Sequence, residues 1–305
     1  MKIDFSRVKV IVFGDIILDD YWYGICERIS PEAPVPVVNV KKRESRLGGA
    51  ANVALNCRSL GASVTLVGSV GKDESGKELI SLVQAAGINS QIIIKPKAIT
   101  TKKTRIVAGL QQITRVDSEC NPMEHYHEDF LSFKSLISDA DIVVVSDYAK
   151  GFVHHANKII EIAKKNKKRI LVDPKKQNYL NYSGASLITP NLKEFETMVG
   201  LSRNEDEIEI KARSIIKKLD LECLVLTRGS DGMTLFQGTK GHSIPTVAKE
   251  VFDVSGAGDT VIASLALGLS VGMSFEDAVI FSNKCSSIAV SRFGTTSVTL
   301  ADLGL

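Results

Sequence analysis

Short apolar runs rich in β-branched residues alternate with longer stretches of helical periodicity along nearly the whole chain. Val8–Phe13, Ser63–Val67, Asp141–Ser146, Arg169–Val172, Leu187–Thr189 and Cys223–Thr227 have the length of strands and are apolar on both faces over most of their extent. Ala50–Leu60, Glu74–Ala86, His154–Lys165, Leu192–Val199, Glu205–Leu219, Gly258–Leu269 and Phe275–Val290 repeat apolar positions at helical spacing. Strands without a polar face, separated by helices, predict an α/β fold with a central, mostly parallel sheet and helices on both faces. Ligands of such sheets bind beyond the carboxyl ends of the strands.

Two stretches break the rhythm. Tyr21–Lys41 carries Pro31, Pro34 and Pro36 around the extended Val35–Val40, and Lys103–Asp117 alternates like antiparallel strands with no helix between. Each stands where a loop between strand and helix belongs. Together they predict a small β-sheet lid over the site, from segments at roughly 20–42 and 100–117, against the alternative of an edge hairpin with a structural purpose alone. Apolar Val35, Val37 and Val38 would let the lid pair with its copy in a homodimer or pack on its own domain.

At 305 residues, 44% hydrophobic and 24% charged, the chain can bury a large core, and residues 1–305 read as a single domain with the lid inserted in it. Its 38 basic and 35 acidic residues leave a net charge of +3. The one dense basic run, Lys164, Lys165, Lys167, Lys168 and Arg169, closes a helix as a solvated last turn, so no nucleic-acid partner is expected. Cys26, Cys57, Cys120, Cys223 and Cys285 are far apart, odd in number and without Cys-x-x-Cys spacing, which predicts reduced, structural thiols and no zinc site. His125 with His127, and His154 beside His155, lack the one-turn spacing of a helical metal pair. No apolar segment is long enough for a signal peptide or membrane span, so a cytoplasmic location with no membrane partner is the expectation.

The candidate chemistry concentrates in Asp253-Val254-Ser255-Gly256-Ala257-Gly258-Asp259, just before an apolar helix. A Gly-x-Gly turn there lets successive backbone N–H groups face one concavity where the helix dipole favours a phosphate. Asp259, in the first turn, could take a proton from a hydroxyl attacking the phosphorus held by that turn, or could merely complement the dipole. Gly48-Gly49-Ala50-Ala51-Asn52 opens another helix and offers a ligand either close approach beside the Asn52 amide or tight helix packing. Asn191 and Glu194 have the spacing of a reciprocal helix cap, and equally of a pair holding hydrated Mg²⁺. Arg228 could meet phosphate or cover a rim. Asp15 and Asp19, past the first strand, could grip sugar hydroxyls or face solvent. Gly71 to Lys77 matches Gly-x-x-x-x-Gly-Lys but continues with Glu78 and holds Asp73 and Glu74, so it reads as a helix start and not a P-loop.

Gly48-Gly49 with Asn52, followed about two hundred residues later by Asp253 through Asp259, resembles the ribokinase/PfkB family of sugar and nucleoside kinases, with Asn191 and Glu194 part of the likeness. The resemblance runs over essentially the whole chain. Further strings resemble the branch of that family acting on heptose 7-phosphate: Gly14-Asp15, Leu18-Asp19, Tyr21-Trp22-Tyr23-Gly24, Arg28 to Val37, Thr104-Arg105-Ile106, Gln111-Gln112, Arg115-Val116-Asp117, Ser146-Asp147-Tyr148, Lys150-Gly151 and Asp173-Pro174-Lys175. Ser255 stands where Thr is usual and keeps a hydroxyl. Bifunctional members carry a following nucleotidyltransferase domain; no His-x-x-His or His-x-Gly-His motif is present, so the expectation is the kinase by itself.

The resemblance implies a ribokinase-like fold and phosphoryl transfer from ATP to the anomeric (C1) hydroxyl of heptose 7-phosphate, giving a 1,7-bisphosphate for ADP-heptose or GDP-heptose and lipopolysaccharide. It implies Asp259 as base, the Gly256, Ala257 and Gly258 amides as anion hole, and Asn191 and Glu194 at the Mg-ATP phosphates, with Glu194 meeting Mg²⁺ through water. Thr227, Gly229, Asp253 and Ser255 fall along the nucleotide, and Asp15, Asp19, Gly48, Gly49, Asn52, Asp147 and Lys150 on the sugar side. A monovalent cation such as K⁺ is left open. An acceptor that already carries phosphate asks for fixed positive charge in the lid: Arg105 and Arg115, with Lys103 as the alternative, while Gln111 and Gln112 can read hydroxyls. The rival readings are a kinase for another sugar, sugar phosphate or nucleoside, and a non-catalytic sugar or nucleotide sensor. A nicotinamide-dependent oxidoreductase is disfavoured because no Gly-x-Gly-x-x-Gly follows Val8–Phe13.

Overall fold

The computed structural model describes residues 3–109, 111–119, 133–175, 179–238, 240–248 and 250–305. Cys120, His125 and His127 lie outside the described residues.

The first apolar run becomes β1 (Lys9–Gly14), and it lies inside the larger of two sheets. On one side it pairs in parallel with β4 (Ser63–Gly71), which pairs with β5 (Asn89–Lys95). On the other side, β8 (Ile142–Ser146), β9 (Arg169–Asp173), β10 (Leu187–Ile188) and β11 (Cys223–Thr227) follow, all parallel. An antiparallel hairpin of β12 (Met233–Gln237) and β13 (Lys240–Ile244) closes that edge. β5, β12 and β13 are absent from the sequence expectations: β5 and β13 are the edge strands of the sheet, and β12 joins β13 in an antiparallel hairpin outside the strand–helix rhythm. A short helix, α3 (Lys134–Asp139), is absent from them as well.

Strand periodicity divides the core into two layers. Val10, Val12, Val64, Leu66, Ile142 and Val144 point to one face, against α1 (Ala50–Ser59), α2 (Glu74–Ala85), α7 (Ala257–Ser270) and α8 (Phe275–Val290). Ile11, Phe13, Val143, Val145, Ile170 and Val172 point to the other, against α3, α4 (Ala156–Lys165), α5 (Leu192–Val199) and α6 (Glu205–Leu219). α7 is apolar nearly all round and its residues from Asp259 to Leu269 are buried, as a helix held between sheet and neighbours must be. Cys57, Cys223 and Cys285 are buried free thiols, and burial pushes those of Cys57 and Cys285 up to about 12.

Gly71–Lys77 is a helix start. Asp73 caps α2 by accepting from the Gly76 amide at 2.8 Å, and its carboxylate also accepts from the Thr100 amide and hydroxyl at 2.8 and 2.6 Å.

The lid is a separate sheet of order β3-β2-β6-β7. β2 (Ile16–Ile29) begins just past β1, and β3 (Pro36–Gly49) returns antiparallel to it, directly into α1. β6 (Lys102–Ala108) lies parallel to β2, and β7 (Gln111–Ser118) antiparallel to β6. The first pair of strands extends beyond 20–42 at both ends, so Asp19 and Gly48-Gly49 are lid residues. Pro31 and Pro34 fall in the turn between β2 and β3, and Pro36 opens the edge strand, where a missing N–H costs no ladder bond. No helix among the described residues is long and apolar enough to cross a membrane.

Candidate active site

The carboxyl ends of β1, β8, β9, β10 and β11 meet the N-termini of α1, α5 and α7. α7 starts from Gly256, whose φ of 78° lies in the left-handed region and whose position would put a Cβ 2.6 Å from Asn52 Nδ2. Only glycine fits. The N–H groups around this turn are not equivalent. That of Ala257 donates to Val254 O at 3.2 Å, whereas those of Gly256, Gly258 and Asp259 have no backbone acceptor among the described residues. The amides without an internal acceptor are therefore those of Gly256, Gly258 and Asp259, while that of Ala257 closes the turn.

Asp259 is 1% exposed. Its Oδ2 accepts from Asn52 Nδ2 and its Oδ1 from the Tyr148 hydroxyl, both at 2.8 Å. Burial pushes its carboxyl up to about 7, against the opposing hydrogen bonds of Asn52 and Tyr148 and the nearby positive charge of Lys103. A carboxylate poised there is matched to accepting a proton near neutral pH. Desolvation, with the charge of Asp259, holds the Tyr148 phenol far above its usual value, so it remains a donor. Asn52 in turn accepts from Asn56 Nδ2 on its carbonyl and its Oδ1, at 3.0 and 3.3 Å. Both ends of its side-chain amide are engaged inside the protein, and Asn52 orients the carboxylate of Asp259.

Beside this turn opens a cavity of about 800 Å³, within the range of small-ligand sites. Asn191, Glu194, Thr227, Gly229, Gly256, Ala257 and Gly258, all singled out from the sequence, line it. Asn191 and Glu194 form the expected reciprocal cap and also lie on the cavity wall. Asn191 Oδ1 accepts from the Glu194 amide at 2.9 Å, and Glu194 Oε2 from the Asn191 amide at 3.0 Å, while Glu194 Oε1 meets Lys175 Nζ at 2.5 Å on the cavity wall. Asp173, half-buried at the end of β9, also lines it; burial and the charges of Glu194 and Asp259 push its carboxyl well above the usual range. Arg228 forms a two-pronged pair with Glu205, at 2.8 and 2.5 Å, and is a rim residue. Asp253 and Ser255 do not line the cavity. Asp253 accepts from the Ser255 and Gly294 amides at 2.8 and 2.9 Å and so shapes the turn from behind.

On the acceptor side most expected ligands have internal partners. Asp15 accepts from the Tyr148, Lys150 and Phe152 amides, each at 2.9 Å, and anchors that loop. Asp147 accepts from the Tyr182 hydroxyl at 2.9 Å and the Ala149 amide at 2.7 Å. Lys150 pairs with Glu119. Asp19 and Arg105 form a buried ion pair at 2.5 Å, and a Cβ on Gly48 would lie 2.4 Å from Asp19 Oδ2, which explains that glycine. Gly49, with φ of 58°, turns the chain into α1. Arg115 pairs with Asp117 at 2.8 Å on an exposed strand. Gln111 and Gln112 are exposed toward the tip of the lid, opposite Ala108 and Val107, and the structure does not bring them to Asp259. Lys103 differs: its ammonium lies 5.2 Å from the centre of the Tyr148 ring, and burial pushes its pKa down. The lid base is tied to the loop after α8 by Arg46, which donates to the Phe293 and Thr295 carbonyls at 2.7 and 3.2 Å, and by the Thr295 amide, which donates to Tyr21 Oη at 3.1 Å.

Sequence reasoning assigns no role to Tyr148, Asp173 or Lys175, although each directly follows or ends a strand, where ligands of parallel sheets bind. It also misses the far wall of the cavity. Asn283, Ser286 and Ser287 contribute there, and their spacing of three and four residues, which puts them on one face of α8, is the available signal.

Residues 7–302 match the family model for pfkB family carbohydrate kinases. The chain is 45% identical over 300 residues to the D-beta-D-heptose 7-phosphate kinase of Bordetella bronchiseptica, covering 98% of this chain and 96% of that protein. It is also 45% identical over 305 residues to the bifunctional protein HldE of Methylococcus capsulatus, covering 99% of this chain but only 64% of that longer protein. Among solved structures, the ribokinase of Arabidopsis thaliana, complexed with ribose and ATP, superposes with a TM-score of 0.78 at 20% identity, covering 95% of this chain and 96% of that one. The phosphofructokinase-2 of Escherichia coli, in complex with potassium, does so with 0.80 at 20% identity, covering 98% and 97%. At that identity the structures show a shared ribokinase-like fold.

Proposed function

Because this chain belongs to the pfkB family of carbohydrate kinases, we propose that it is an ATP-dependent kinase of heptose 7-phosphate, phosphorylating the anomeric hydroxyl to the 1,7-bisphosphate for ADP-heptose or GDP-heptose and lipopolysaccharide. The observation that carries the chemical part is Asp259, buried, poised near pH 7 and set among open backbone amides at the end of a large cavity. The acceptor part is supported by the 45% identity to a heptose 7-phosphate kinase over nearly the full length of both proteins.

Phosphoryl transfer asks the protein mainly for alignment, charge neutralisation and exclusion of water. Asp259 takes the proton of the attacking hydroxyl, held in orientation by Asn52 and Tyr148. The open amides of the glycine turn face the migrating group, and the lid, docked through Arg46 and Tyr21, closes the acceptor side against water. Asp173 and Glu194 suit a hydrated Mg²⁺. They place two carboxylates on the cavity wall with one lysine beside them, and the raised carboxyl of Asp173 marks negative charge that a divalent cation would relieve. When bound, Mg²⁺ supplies charge neutralisation at the ATP phosphates.

We further propose a cytoplasmic reaction, a homodimer through the lid's open edges, and activation by a monovalent cation such as K⁺, to which no residue of this chain is assigned. Incubation with Mg-ATP and a panel of sugars and sugar phosphates, with the phosphorylated position identified by NMR, tests the reading. Heptose 7-phosphate should be the preferred acceptor and C1 the modified carbon. Preference for another acceptor would overturn it. Exchange of K⁺ for Na⁺ in the same assay and light scattering of the protein in solution check the remaining parts.

A further inference from the structure

By strand register, one face of the lid carries five basic side chains. Each is accounted for by a carboxylate except one. Lys42 and Arg46 share Glu44, at 2.8 and 2.7 Å; Arg105 is neutralised by the buried Asp19; Arg115 is held by Asp117. Lys103 sits opposite Asp19 on one side and Asp117 on the other, yet has no carboxylate within ion-pair distance among the described residues. Its ammonium rests over the ring of Tyr148, whose hydroxyl donates to Asp259.

A partly buried cation touching an aromatic face and no carboxylate is costly, because the ring replaces little of the lost hydration. Burial lowers its pKa, which is the sign of that cost. A protein gains from such a group when a dianion completes it. The nucleotide cavity is lined by Tyr148 and Gly256–Gly258 but not by Lys103, so the ring separates this ammonium from the nucleotide side.

We propose that Lys103 is the specificity-determining cation that binds the phosphate already present on the acceptor, and that Arg105 and Arg115 are held in structural ion pairs. This rests on the reading of the acceptor as a sugar phosphate. Lys103 meets the phosphate from the lid while Asp259 meets the reacting hydroxyl from below, so the distance between the two groups selects acceptors with a phosphate remote from the reacting carbon. Loss of the charge removes binding in the ground state and transition state alike, and so raises KM for the phosphorylated acceptor alone.

The test compares Lys103→Met and Lys103→Arg with the wild type, using D-glycero-D-manno-heptose and its 7-phosphate as acceptors. Folding is controlled by the thermal midpoint and the KM for ATP. Measured at a pH above the acid limb set by Asp259, where its carboxylate is ionised with or without the neighbouring charge, Lys103→Met should raise the KM for the 7-phosphate by about 30-fold or more and leave kcat/KM for the unphosphorylated heptose within about twofold, with Lys103→Arg recovering much of the loss. An equal loss for both acceptors, or a fall in kcat with KM unchanged, would place Lys103 at the migrating phosphoryl group and overturn the inference. An unchanged KM in Lys103→Met would overturn it equally. Wild-type enzyme that does not prefer the phosphorylated heptose defeats the acceptor reading first, and this inference with it.

Discussion

The two halves of the site are built on opposite plans. On the proposed nucleotide side, residues singled out from the sequence line an open cavity: Thr227, Gly229 and the glycine turn face it, and Asn191 and Glu194 line it while also capping α5. On the acceptor side, residues of equally polar character have internal partners: Asp15 anchors a loop, Asp147 holds Tyr182, Asp19 holds Arg105. The difference follows from where each half sits. The nucleotide half is formed by strand ends and helix N-termini of the main sheet, whose geometry the core fixes without help from the ligand groups. The acceptor half lies where a loop and a thin second sheet have to be fastened: Asp15 and Asp147 brace the loop after β8, Asp19 and Arg105 pair inside the lid, and Arg46 and Tyr21 tie the lid to the body. A polar residue can therefore be essential to the acceptor half without touching the acceptor.

Asp259 belongs to both halves, and changing it should give the largest effect. Asp259→Asn is expected to lower kcat by at least ~10²-fold with little change in the KM for ATP, measured by ADP release. Unchanged turnover would remove the base from the mechanism. In the wild type, kcat/KM should fall as the pH drops through about 7, because the reactive form is the carboxylate and burial has raised its proton affinity to that range.

The contrast is tested most directly at Arg105. If it is structural, Arg105→Met leaves Asp19 buried and unpaired, and stability should drop by about 3 kcal/mol or more, read from denaturant unfolding. A variant of normal stability with a raised KM for the sugar phosphate would instead return Arg105 to the ligand and erase the distinction between the halves.

Tyr148→Phe sharpens the boundary. It removes one of the two donors that hold down the proton affinity of Asp259, so the acid limb of the pH profile should move to higher pH, with turnover at pH 7 reduced by about tenfold or less. The smallest effect is expected from Arg115→Ala, which removes an exposed pair and should alter stability by no more than about 0.5 kcal/mol and leave both KM values nearly unchanged.

Much of this molecule is legible without coordinates. The parallel order of strand and helix is visible because strands buried on both faces must be apolar throughout, as in Val10–Phe13 and Val143–Val145, and α7 is marked by an apolar run behind a glycine turn. Asp259 stands out because local chain geometry alone puts a carboxylate in the first turn of a helix that could bind phosphate. Edge strands such as β5 and β13 are not legible, since one-sided packing leaves a weaker pattern.

The sequence by itself determined the fold class, the glycine turn and the position of the candidate base, because each depends on neighbours within one turn or one strand. Only the tertiary structure decided which charges are free. Asn52 meets Asp259 across 207 positions of chain, and Arg46 reaches the Phe293 carbonyl across 247. Whether a buried polar group serves a ligand or the fold depends on which distant partner satisfies it, and periodicity carries no record of that pairing.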